Sequence, residues 1–281
     1  MAATTSEVLV TSSQSFASKL RSWRERRGLS QLALAMRCEI SQRHLSFLEL
    51  ERAAPSRYMV DRLAEALDIP LRQHNALLLA AGFAPQWPER DLAAPALLDV
   101  ASALDYMLGQ QEPYPAVVVD RCWNLMRSNR GAVRLMEFLV GPLTPGVPIN
   151  LADALVAPDV LRPYITNWTD VVRHFVHSVE ADEAADGLAD SDTLLERLLN
   201  YPGVRQALSH PSGNGSGSPV LPMHFEKNGV ALQLFTTIAT LGTPQDVTLQ
   251  ELRIECFFPL NDATAGLLRT WAKSPSATQR Q

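Results

Sequence analysis

The stretch from Gly28 to Arg52, GLSQLALAMRCEISQRHLSFLELER, constrains the fold of this chain more than any other. It reads as two short helices joined by a tight turn. Ser30 is placed as an N-cap, and Leu34, Ala35 and Cys38 follow at i, i+1 and i+4 on one face. Ser41 caps a second helix whose Leu45 and Leu48 recur at helical spacing, with Ile40 and Leu45 set for a hydrophobic staple across the cap. With those side chains turned inward, Gln42, Arg43, His44, Ser46 and Phe47 point outward from one short helix. That arrangement lets a helix enter a DNA major groove.

At 281 residues the chain far exceeds the roughly 60 to 70 that such a unit needs, which predicts at least one further domain. Its hydrophobic share of 46% and charged share of 20% fit an ordinary globular chain, and no apolar run approaches the roughly 20 residues that span a bilayer. The N-terminus lacks the basic and apolar blocks of a signal peptide, so a cytoplasmic protein is expected. Cys38, Cys122 and Cys256 lie far apart inside apolar patterns and read as buried free thiols. A net charge of −5 argues against a nucleic-acid binder until its distribution is considered. Residues 15–82 hold 11 Lys and Arg against 7 Asp and Glu, a surplus of 4, whereas residues 83–281 hold 14 against 22. Affinity for phosphates is local, so a basic head on an acidic body suits a DNA-reading module joined to a different kind of domain.

Residues 1–14 are polar and aperiodic and read as a disordered tail. Ser15 caps a helix to about Arg27 that turns Phe16, Leu20 and Trp23 inward and Arg21, Arg24, Arg26 and Arg27 outward, and Gly28 ends it. Ser56 caps a fourth helix buried through Met59, Val60, Leu63 and Leu67, and Pro70 opens a fifth that runs to Gly82. Together these predict an all-α five-helix domain over residues 15–83. Three prolines and a Trp in residues 84–95 mark a linker.

The second domain is expected over residues 96–272. A helix from about Ala96 to Leu108 buries Leu97, Val100, Ala101, Leu104 and Leu108. PAVVVDRCWNLMRSN then predicts a strand or short hairpin, and helical patterns return from Asn129 and again from Asp159 to about Leu208. HPSGNGSGSP, at 210–219, reads as a loop. Three strands follow. Two are joined across Asn228-Gly229, and the third, in TLQELRIECFFP, is entered through a turn at 243–246. Asp262 to Trp271 reads as a last helix and residues 273–281 as a polar tail. Helices around a small antiparallel sheet, with strands drawn from both ends of the domain, predict an α+β, sensor-like module.

With these motifs in place, the first 82 or so residues resemble the five-helix DNA-binding domain of the phage-repressor and Xre type. The likeness rests on GLSQ at the second helix, ISQRHLSFLE at the recognition helix and AAPS before the fourth. Glu39 stands where the family usually has Gly, and Leu50-Glu51 where Asn-Gly is usual, which predicts a locally different turn. From PAVVVDRCWNLMRSNRGAVRLM through LRIECFFP the chain resembles the ligand-binding domain of MmyB-like transcription regulators, a fold similar to PAS domains. The resemblance implies a transcription regulator whose C-terminal, PAS-like domain holds a lipid or other small molecule.

Gln42 and Arg43 match the positions that read base edges in the resembled repressors. Gln bonds adenine and Arg bonds guanine in a bidentate way, each good pair giving roughly 1 to 3 kcal/mol of discrimination. Ser46 and Phe47 suit a phosphate and a thymine methyl, and His44 a base or phosphate. Gln31 suits a phosphate at a helix N-terminus, Ser41 joins the same DNA-binding set at the cap, and Arg52 and Arg57 read as phosphate neighbours. Glu49 would repel phosphate and is expected to pair internally with Arg21 or Arg24. The expected partner is a duplex operator, bound by a homodimer.

In the second domain nothing assembles into an enzyme: no Gly-rich phosphate loop follows a strand and no GxSxG elbow exists. His174 and His177 lie at i and i+3 but have no further ligand to complete a metal set. Val117, Val119, Trp123, Met126, Met136, Trp168, Phe175, Phe235 and Phe257 are the candidates for the wall of a ligand cavity. Such a cavity suits an elongated apolar molecule such as a fatty acid, with Arg or His at its mouth. The rival expectation is a module for dimerisation or protein contact that holds no ligand.

Overall fold

The computed structural model describes residues 15–144, 146–186, 193–209 and 220–273. The expected N-terminal tail, the 210–219 loop and residues 274–281 lie outside them. The chain divides after Pro88 into two compact units.

The first unit holds α1 (Phe16–Arg26), α2 (Gln31–Arg37), α3 (Gln42–Glu49), α4 (Arg57–Ala66) and α5 (Leu71–Ala80). One device begins four of the five. The hydroxyls of Ser15, Ser30, Ser41 and Ser56 each accept the backbone N–H three residues on, satisfying a donor the helix leaves orphaned. A second device ends all five. Gly28, Glu39, Glu51, Asp68 and Gly82, each just past a helix, have φ of 64°, 51°, 59°, 49° and 85°. The N–H of the next residue reaches back over the turn, from Leu29 to the Arg24 carbonyl, Ile40 to Ala35, Arg52 to Phe47, Ile69 to Ala64 and Phe83 to Leu78. This is the Schellman geometry. The turn expected to differ at Glu39 is therefore an ordinary left-handed stop. Glutamate makes it in place of glycine, at about 1 kcal/mol or more. The apolar stripes of the five helices meet in one core, in which Leu20, Leu34, Leu45, Leu48, Leu63 and Leu77 are fully buried.

Residues 84–95, read as a linker, are shared between the units. The Asn75 side chain accepts from the N–H groups of Gln86 and Trp87 at 2.9 and 3.0 Å, and the Trp87 indole donates to His74 Nδ1 at 3.0 Å. Residues beyond Pro88 pack on the second unit, where Arg90 pairs with Asp246 at 3.0 Å and Leu92 is buried.

The second unit runs α6 (Leu98–Gln110), β1 (Ala116–Val119), β2 (Leu125–Ser128), α7 (Arg130–Val140), α8 (Leu151–Val156), α9 (Trp168–Asp186), α10 (Leu194–Leu199) and α11 (Val204–Ser209). It closes with β3 (Met223–Lys227), β4 (Val230–Ala239), α12 (Val247–Glu251), β5 (Arg253–Pro259) and α13 (Asp262–Lys273). The strand expected in TLQELRIECFFP starts only at Arg253. Asp246 accepts the Thr248 N–H at 2.9 Å and so caps a short helix over the residues before it. Asn228 and Gly229 both have positive φ, 51° and 75°, as a tight type I′ hairpin requires.

The five strands form one antiparallel sheet in the order β2-β1-β5-β4-β3, curled into a half-barrel. Its first hairpin and its last three strands come from opposite ends of the domain. Both faces are covered. Ala116, Val118, Leu252 and Ile254 join Leu104 and Leu108 of α6 in one cluster, while Val117 and Phe257 belong to clusters with α9 on the other side. Asn129 ties the layers together. Its buried amide accepts from Ala116 and Ala132 at 3.0 and 2.9 Å and donates to the carbonyls of Leu108 and Tyr114 at 3.1 and 2.8 Å. Gly131 lets α7 lie close to this junction, because a Cβ there would stand 2.7 Å from the Pro113 carbonyl oxygen.

Candidate nucleic-acid interface and ligand cavity

The core fixes which face of α3 remains outside. Leu45, Leu48 and Glu49 are buried, Gln42 and Arg43 are exposed, and His44, Ser46 and Phe47 are half-buried. The Arg43 guanidinium carbon lies 5.2 Å from the centre of the Phe47 ring one turn on. This cation–π contact holds the Arg fork over the outward face. Ser41 keeps its hydroxyl on the helix, accepting from His44 N–H at 3.1 Å.

Glu49 explains why an acid is tolerated on this helix. Its carboxylate receives Arg24 Nε at 2.6 Å, Arg24 Nη2 at 3.0 Å and Gln31 Nε2 at 2.9 Å. The paired carboxylate raises the pKa of the Arg24 guanidinium, which also donates to the Leu29 carbonyl at 2.9 Å. Arg21 takes a different partner, Glu25, at 2.8 Å. One network thus joins α1, α2 and α3, and Gln31 stands in it with its amide nitrogen on Glu49. Arg57 donates to the Ala84 carbonyl and to Gln86 at 3.1 and 3.4 Å. Arg52 is exposed, and its backbone N–H closes the stop after α3.

In the second unit a cavity of about 410 Å³ lies between the sheet and helices α7 to α9. Ala132, Leu135, Met136 and Leu139 of α7 form one wall, and Val171, His174, Phe175 and Ser178 of α9 another. The sheet supplies Val117, Phe225, Thr236, Ile238, Glu255 and Phe257, and the β1–β2 turn supplies Trp123. Five of the nine residues read from the sequence are therefore on the wall: Val117, Trp123, Met136, Phe175 and Phe257.

The other four lie off this wall. Phe235 belongs to the opposite face of β4 from Leu234 and Thr236, and stacks on Phe258 at 5.5 Å. Met126 points outward from edge strand β2 and is 40% exposed. Val119 is buried in the same cluster as Val117 and Trp123 but does not reach the wall. Trp168 lies under the Arg162 guanidinium, 3.8 Å from its ring centre, and donates its indole N–H to the Leu155 carbonyl at 2.9 Å.

Trp123 is held in an unusual state. Its φ is 65°, a left-handed value that costs a bulky residue on the order of 1 to 3 kcal/mol. Asp120 enforces it by accepting from the N–H groups on either side, Cys122 at 2.8 Å and Asn124 at 2.9 Å. The Trp123 carbonyl accepts from Leu151 at 2.9 Å. Its ring meets Phe175 edge-on at 4.7 Å, and its buried indole N–H has no partner among the described residues.

Glu255 is the residue that sequence reading missed. It lies on central strand β5 opposite Val117 and Ile238, on the cavity wall, and is only 9% exposed. Burial pushes its pKa up to about 7, against a smaller opposing effect of the Thr236 hydroxyl that donates to it. A charged residue alternating with Ile254 reads as solvent-facing, and only the covering of both sheet faces reveals otherwise.

Among the described residues no cluster of His, Cys, Asp or Glu is placed to hold a metal ion. None of their helices is long and apolar enough to cross a membrane. Residues 20–73 match the family model described as helix-turn-helix, and residues 100–270 match the MmyB-like transcription regulator ligand binding domain. No curated protein matches the chain in sequence. A solved structure titled "Structure of an RNA-binding Light-Oxygen-Voltage Receptor" is similar at 12% identity with a TM-score of 0.29. The alignment covers 91% of this chain and spans 63% of that structure's length, and at this score it carries no argument. By the match over most of its length, the chain belongs to the MmyB-like transcription regulators, with a helix-turn-helix DNA-binding domain ahead of the ligand-binding domain.

Proposed function

We propose that this regulator reads its operator with the first turn of α3 and that an apolar molecule in the C-terminal cavity controls when it does so. The observation that carries the reading is the cavity itself, about 410 Å³ and walled mainly by aliphatic and aromatic side chains. Its volume lies within the range of natural ligand pockets, roughly 300 to 1,000 Å³. A module built only for dimerisation or protein contact has no use for such a space. The wall suits a hydrocarbon chain, as in a fatty acid, and the polar end of the molecule is set by the few polar side chains present. The regulator works in the cytoplasm as a homodimer on a two-fold operator, its two α3 helices about 34 to 36 Å apart in successive major grooves.

Within α3, Gln42 and Arg43 read base edges, Ser46 and Phe47 follow one turn on, and Ser41, His44, Gln31, Arg52 and Arg57 lie along the phosphates. Selection from random duplexes tests this. Arg43→Ala is expected to relax base preference at one position per half-site, with a loss of roughly 1 to 3 kcal/mol on the preferred base. An unchanged selected motif would show that Arg43 reads nothing.

A further inference from the structure

On the cavity reading above, the polar end of the ligand is set by the polar groups of the wall. Among the described residues the wall carries His174, Ser178, Thr236 and Glu255, the unpartnered indole N–H of Trp123, and neither Lys nor Arg. His174 is exposed on α9, whereas Glu255 is buried on the central strand with the Thr236 hydroxyl as its hydrogen-bond donor. A carboxylate oxygen accepts more than one hydrogen bond, so a buried Glu with a single hydroxyl donor keeps acceptor capacity toward the cavity. Of the Arg or His expected at the mouth, the described wall has the exposed His174 and no Arg. A carboxylate ligand would thus enter a space whose one buried ionisable group is an acid, and two carboxyls in an apolar site do not both ionise.

We propose that the cavity binds an apolar amine, its hydrocarbon part against α7 and α9 and its ammonium donating to the Glu255 carboxylate. The geometry places an acceptor on the cavity wall, and the ammonium supplies the charge that a buried carboxylate lacks. The raised pKa of Glu255 agrees with this, because burial disfavours its charged form and a cation beside it favours that form. A fatty acid keeps the same hydrocarbon fit and loses the head-group match.

Decylamine, decanol and decanoate share a tail and differ at the head, so isothermal titration of the full chain with each separates the two contributions. Decylamine is expected to bind on the order of tenfold more tightly than decanoate. Glu255→Gln is expected to remove that preference while leaving decanol within about threefold, since a hydroxyl bonds carboxyl and carboxamide alike. The comparison on the unmodified protein stands whether or not the variant folds. Decanoate binding as tightly as decylamine overturns the head-group assignment and leaves the cavity reading intact, as does an unchanged amine affinity in Glu255→Gln. If none of the three binds, the cavity reading falls and this inference falls with it.

Discussion

Arg24→Met is expected to destabilise the DNA-binding unit by about 3 to 5 kcal/mol, because it leaves the Glu49 carboxylate buried with only the Gln31 amide to face it. The Glu49 side chain is 2% exposed and that of Arg24 10%, so water does not replace the lost guanidinium. The loss should appear as an earlier first transition in denaturant unfolding of the full chain. The double variant Arg24→Met with Glu49→Leu should recover most of it, since removing both charges abolishes the unpaired one. A single variant within about 1 kcal/mol of the unmodified protein would show that the network is peripheral. The effect reaches function because the network joins α1, α2 and α3. An α3 that keeps its sequence and loses this anchor still carries Gln42 and Arg43, but no longer at a fixed angle to α2.

Glu255→Gln is expected to change how stability depends on pH in the C-terminal unit. The folded-state pKa of Glu255 is about 7 against 4.5 as reference, so between those values the folded chain binds the extra proton. Stability then falls as pH rises through this window and levels off above it. The contribution is largest below about pH 4.5 and lost by about pH 7, with a full span of roughly 3 kcal/mol. Gln has no proton to lose, so thermal unfolding of the variant should lack that decline. The variant should be the more stable of the two at pH 8, and the difference should shrink at pH 5. The other titratable groups nearby are His174 on the same cavity wall and Cys256, whose thiol is raised by burial and by Glu255. Both remain in the variant, and the thiol, which burial alone still raises there, keeps its proton throughout this window. Parallel pH profiles for the two proteins would place Glu255 in contact with solvent.

The first unit was legible in the sequence because its rules are local. Four serine caps, the helical spacing of Leu34, Leu45, Leu48, Val60 and Leu63, and the glycines at 28 and 82 each announce a boundary within a few residues. The stops at Glu39, Glu51 and Asp68 carry no glycine to mark them, since their left-handed backbone is imposed by the Schellman hydrogen bonds and not by residue type. Glu49 was legible as an internal partner because a carboxylate beside phosphate has nowhere else to go. In the second unit the hairpins at 116–128 and 223–239 follow from alternation and from Asn228-Gly229. The cavity wall was half legible. Phe235 and Met126 carry the right chemistry on the wrong face, and face depends on strand register, which no single strand reveals. Glu255 was invisible for the same reason in reverse.

The most direct test of ligand control is the affinity of the protein for its own selected duplex, stripped of apolar molecules and again with the organic extract of the purified protein restored. Mass spectrometry of that extract should show an apolar species, and restoring it should change duplex affinity by about 5- to 150-fold, the usual span of coupling between two sites. An extract without any apolar species, or one that leaves the affinity unchanged, would contradict the claim that the cavity governs the helix that reads DNA.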